Sequence, residues 1–281
     1  MQAEEVVARA ARDVAARRLS VVEQRWNGPW QWILPLLVLV LLAGFVGAPG
    51  TLPDKLLWMM GGVCSLRPAH SYFAGGLQLP LEARMVGIYG GCVITLLVLV
   101  IRARSHFGRN GSVATTVLLA AMFLVMVADG VNSTLMELGW PHLYTTTNVL
   151  RLTTGLLSGT ALAFGLAAVL TRTLHVPAQR RSHSGHALLN VACALAANAG
   201  FAGLVMQEWR WLYYPLAIIS VAGIVAILTS VSLLIVATLS GIDGRCVRLR
   251  QLVAPGSLAV LMAFAVLTGT AAVRWYTAVP M

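Results

Sequence analysis

Seven long apolar stretches constrain this chain more than anything else in it. They run from Trp30 to Ala48, Arg84 to Ile101, Ser112 to Val131, Asn148 to Leu170, His186 to Met206, Tyr214 to Leu239 and Gly256 to Val273. Each is about long enough to cross the ~30 Å hydrocarbon core of a bilayer. Water is absent there, so every backbone N–H and C=O must be satisfied within the protein, which a helix does for itself. The expected fold is therefore all-α, a polytopic bundle of about seven transmembrane helices. Composition agrees: 58% of residues are hydrophobic and 11% charged, against about 25% charged in soluble domains. A shorter run, Leu56 to Val63, cannot span and reads as an interfacial or re-entrant turn leading into Cys64.

Placement of basic residues gives the expected orientation. The formal charge is +10, carried by nineteen arginines and one lysine. With a cytoplasmic N-terminus, the inner segments hold fourteen of these twenty, among them Arg102, Arg104, Arg109, Arg172, Arg180 and Arg181; Lys55, Arg67, Arg84, Arg151, Arg210 and Arg274 lie outside. The reading is N-in, C-out, in a prokaryotic plasma (inner) membrane. Residues 1–29 form an expected amphipathic helix on the cytoplasmic surface, with arginines toward acidic headgroups. Residues 30–171 form a membrane core with an outward loop at 49–84, and 172–281 a three-helix extension. Tryptophans and tyrosines such as Trp30, Trp58, Trp140, Tyr144, Trp209 and Trp275 fall near span ends, as interfacial anchors do.

The outward side gathers polar groups at one depth. Arg67, His70, Arg84 and Arg151 stand near helix mouths that also carry Asp129, Asn132 and Asn148, and ionisable groups at membrane depth are functional candidates by default. Gly87-x-x-x-Gly91 in the second span and Gly155-x-x-x-Gly159 in the fourth are small-residue seams on parallel helices, which bring backbones close. Arg84 and Arg151 each precede a seam by about one turn and share its face, so close packing would set the two guanidinium groups near each other with Asp129, helped by Glu82, as counterion. Three readings stay open: arginines reaching to headgroups, a structural Arg/Asp network, or a site for an anionic ligand.

The stretch from Cys64 to Gly91, with Ala128-Asp129-Gly130 and Asn148 to Gly155, resembles a family of predicted prokaryotic membrane proteins classed as a domain of unknown function. The signature it resembles is C-H-Q-x-P-x-R-S, a linker, then P-x-C-A-R-C-x-G-I-Y-x-G, and the resemblance covers about residues 64–165. Cys64, Ser71, Pro80, Ala83, Arg84, Gly87, Ile88, Tyr89 and Gly91 agree with it. The signature's histidine is Ser65 here, its arginine before serine is His70, and its paired cysteines are Glu82 and Met85. In the family, the cysteine and histidine set implies a soft metal or thiol chemistry. Here Cys64 alone survives from that set, with His70 and Glu82 as the nearest substitutes, and neither metal nor cofactor is expected.

The remaining chain is plainer. His186, Asn190, Cys193 and Ala197 share a face of the fifth span, with Asn198 near its middle, and read as hydrogen-bonding glue between helices. No Walker A, H-E-x-x-H, G-x-S-x-G or nucleic-acid motif occurs. Three function classes remain: a non-enzymatic structural or accessory subunit of a larger membrane complex, an anion or lipid-headgroup binding or transport protein, and a membrane enzyme. The first is favoured and no catalytic residue is assigned. Expected partners are membrane lipids and either a membrane-complex protein or a second copy, not nucleic acid.

Overall fold

The computed structural model describes residues 26, 28–102, 113–174, 185–242 and 249–277. The expected surface helix of residues 1–29 lies almost wholly outside these, as do Arg104, Arg109, Arg180 and Arg181. The described residues form eight helices: α1 (Trp30–Gly47), α2 (Leu52–Gly61), α3 (Ala83–Arg102), α4 (Val113–Glu137), α5 (Asn148–Leu174), α6 (Gly185–Met206), α7 (Tyr213–Ser240) and α8 (Val253–Tyr276). Seven of them, all but α2, are long and apolar enough to cross a membrane. The protein is a multi-pass membrane helix bundle.

Two departures from the sequence reading lie between α1 and α3. Residues 52–61 form a ten-residue helix, not a turn, because Thr51 and Asp54 build a capping box: the Asp54 N–H donates to Thr51 Oγ1 and the Thr51 N–H to the Asp54 carboxylate, satisfying end groups that α2 cannot satisfy itself. A small antiparallel hairpin follows, β1 (Phe73–Ala74) with β2 (Leu77–Gln78). Gly75 and Gly76 turn it with φ of +57° and +84°, the positive values a two-residue hairpin turn demands.

The chain divides into two compact units. In the first, Ala237 and Ile242 are buried, with Trp26, Leu170, Leu233 and Leu252 packed around them. The second holds residues 49–167, 179–227 and 265–281, and α3 is its hub. A Cβ placed on Gly87 would strike the Leu152 carbonyl, on Gly155 the Arg84 carbonyl, and on Gly159 the Ile88 carbonyl. Backbones of α3 and α5 therefore touch, running parallel, with only hydrogen at the seam. Gly91 packs on Leu156, Gly90 lies under the Phe201 ring of α6, and Gly223 of α7 meets the Tyr89 backbone. One stretch, Gly87-Ile-Tyr-Gly-Gly91, thus serves three neighbouring helices.

Two further polar contacts join α3 to its neighbours. The Asn198 amide donates to Thr95 Oγ1 at 3.0 Å and Thr160 Oγ1 at 2.9 Å, all three side chains buried. Arg102 Nε donates to Asn190 Oδ1 at 2.6 Å.

Candidate functional site

The site is built where α3 and α5 begin and α4 ends, under the segment that joins α2 to α3. That segment is anchored at both ends. The Arg274 guanidinium, from α8, donates to the carbonyls of Gly61, Cys64 and Ser65, which lie at and just past the C-terminus of α2, where a cation offsets the helix dipole. Leu79, Leu81 and Ala83 are fully buried at the other end. Between them Leu66 adopts φ of +58°, uncommon for a branched side chain. Its carbonyl accepts from Gln78 Nε2 at 2.8 Å, and the next N–H, of Arg67, donates to Glu82 Oε1 at 3.0 Å.

A deep layer is centred on Asp129. This carboxylate, 1% exposed, accepts from Arg84 at 2.6 Å, Tyr144 Oη at 3.0 Å and Thr154 Oγ1 at 3.2 Å. Arg84 also reaches the Asp129 carbonyl at 3.3 Å. Charge-assisted bonds of this kind are the stronger class, and here they tie α3, α4, α5 and the α4–α5 connection to one side chain.

A shallower layer is centred on Glu137, on the last turn of α4. Arg67 donates to it at 2.7 Å, Arg151 lies 3.8 Å away, and His70 Nδ1 is at 3.7 Å. Arg151 is otherwise held by Asn148 and Ser133, each at 3.2 Å. Glu82 takes Ser65 Oγ and the Arg67 side chain. Burial pushes the Glu82 carboxyl up, but hydrogen bonds from Ser65 and from the Arg67 backbone, with the Arg67 charge, outweigh it and leave its pKa below the ordinary value. Burial pushes the Cys64 thiol up, the opposite of the lowered value that marks a reactive thiolate.

The structure thus brings together Arg67, His70, Arg84, Asp129, Asn148 and Arg151, but divides their counterions differently from the sequence reading. Asp129 serves Arg84, while Arg151 faces Glu137, a residue the sequence reading overlooked. Its signal was available: Asp129, Ser133 and Glu137 follow at i, i+4 and i+8 on one helix face. Asn132 is bonded to other groups. It fixes the α4–α5 connection, donating to the Tyr144 carbonyl at 2.8 Å and accepting from the Leu143 N–H at 2.8 Å. Ser65, Tyr144, Thr154 and Arg274 also went unassigned; none carries a spacing signal, because each reaches its partner from a separate element. Among the described residues, no group of three His, Cys, Asp or Glu is placed to hold a metal ion.

Residues 64–164 match the model of a family described as predicted membrane protein (DUF2085). The match opens at Cys64 and closes after Gly159, so it takes in both charge layers and the α3–α5 glycine seam. No curated protein and no solved structure matches the chain.

Proposed function

We propose that this chain is a non-enzymatic integral membrane protein, a structural or accessory subunit of a larger membrane complex in a prokaryotic plasma (inner) membrane, with its charged pole on the extracytoplasmic side. One observation carries the reading: the three arginines of the pole each meet a carboxylate of the same pole, Arg84 with Asp129, Arg67 with Glu82 and Glu137, and Arg151 with Glu137. Asp129 and Arg151 are 1% and 5% exposed. Buried ion pairs balanced in this way fix the positions of helices and leave little charge for a ligand. Arg67 is the most exposed of the three, at 46% of its side chain, and it is bonded to both Glu82 and Glu137.

Purification in mild detergent followed by native mass spectrometry tests this. The expected result is a protein partner, or a second copy, at fixed stoichiometry. A monomer carrying one anionic lipid or phosphate-bearing molecule, lost on Arg151→Gln without a change in melting temperature, would overturn it in favour of anion or headgroup binding.

A further inference from the structure

His70 stands between two carboxylates without bonding to either. Its Nδ1 is 3.7 Å from Glu137 Oε1, on α4, and 3.9 Å from Glu82 Oε2, before α3, just beyond hydrogen-bonding reach. Two arginines face the same space, Arg67 from the segment that carries His70 and Arg151 from α5. The backbone is clamped on both sides of the ring, because Asn148 Nδ2 donates to the Ala69 carbonyl at 3.1 Å and lies 3.5 Å from that of Ser71. The ring is therefore carried on a stretch of backbone that is tied to α5.

We propose that His70 is a pH-responsive latch: a neutral imidazole keeps the segment 64–82 closed over the pole, and protonation loosens it. Around the ring the charges balance while it is neutral, two arginines against two carboxylates. A proton makes that three cations against two anions in a half-shielded place. Arg67, with 46% of its side chain exposed, is free to swing toward water, whereas Arg151 at 6% is not. Loss of Arg67 from Glu137 removes a direct tie between the segment and α4.

The sign follows from linkage. Burial, then Arg151 and Arg67, hold the His70 pKa below its ordinary value, against the pull of Glu82 and Glu137. The closed segment thus binds a proton more weakly than the open one, and acid favours opening. The closed form keeps its full advantage above about pH 6.5, the ordinary histidine value, and loses it progressively as pH falls through the depressed one. Glu82, also depressed, gives way only in a separate window below the ordinary carboxylate range.

Hydrogen exchange of the full chain in lipid nanodiscs, compared at pH 7.5 and 5.5 after correction for intrinsic rates, tests the latch. Protection of residues 64–82 should fall measurably at the lower pH, and His70→Gln should abolish the change. Wild-type protection that does not vary with pH, or a variant that loses it equally, would overturn the proposal. Should His70→Gln fail to fold, NMR titration of histidine-labelled wild type decides: a His70 midpoint at or above about 6.5 also overturns it.

Discussion

Removing the charge of Asp129 leaves the Arg84 guanidinium without its counterion and weakens the bond from Tyr144, whereas removing Arg84 leaves Asp129 with the hydroxyls of Tyr144 and Thr154. Breaking one side of a buried ion pair costs about 3–5 kcal/mol because the other charge stays buried and unpaired. Asp129→Asn should therefore lower the melting temperature in detergent more than Arg84→Gln. The double variant should be milder than the sum of the singles, since the two share one interaction. Equal melting of all three with the wild type would mean that the pair contributes nothing to stability. At this scale the sequence was informative where charge stands out from an apolar run, as at Arg84, Asp129 and Arg151. It was silent where polarity looked ordinary: Glu137 ends a helix and reads as interfacial, and Ser65 finds Glu82 across seventeen positions, a closeness that only the folded loop creates. Ser65 and Glu82 also stand where the resembled signature has its histidine and first paired cysteine, so the two replaced positions touch.

At the level of elements, α3 depends on the absence of side chains. Gly87→Ala and Gly155→Ala each drive a methyl group into a facing backbone carbonyl that belongs to a helix and cannot yield, so both should lower thermal stability and folded yield sharply. Gly165, also on α5, has nothing within 4 Å of its missing Cβ. Gly165→Ala should be neutral or stabilising by up to about 1 kcal/mol, the helix-propensity difference. Melting curves of the three variants in one detergent check this, and similar losses from all of them would refute the seam. The Gly-x-x-x-Gly spacing made two faces legible. Gly90 and Gly223 were not, because what they accommodate, the Phe201 ring and the Tyr89 backbone, arrives from helices distant in sequence. Two local elements were written in the chain and missed: Thr51-Leu-Pro-Asp54 as a capping box, and Gly75-Gly76 between short apolar pairs as a hairpin turn.

Across the whole molecule, hydropathy located all seven long helices and misjudged mainly how far they extend. The third span was read to Val131, yet α4 continues to Glu137, because Asn132, Ser133 and Glu137 find partners inside the protein and keep a polar last turn helical. It is capped just beyond its end at Gly139, where φ of +70° lets the Trp140 and Gly139 N–H groups donate to the Leu135 and Met136 carbonyls, the Schellman arrangement. Orientation is a separate property, set by the translocation cost of basic residues and not by packing. The bias of fourteen to six basic residues predicts that the α4–α5 connection faces out and the α3–α4 connection faces the cytoplasm. Leu143 is 93% exposed in the first of these, and Arg104 lies in the second. In a background whose native cysteines are alanine, Leu143→Cys should react with an impermeant maleimide in intact cells, while Arg104→Cys should react only after lysis. Labelling of position 104 in intact cells, with 143 protected, would invert the topology. It would place the His70 segment in the buffered cytoplasm, where the swing in pH that its latch requires would have to come from the cell itself and not from the medium.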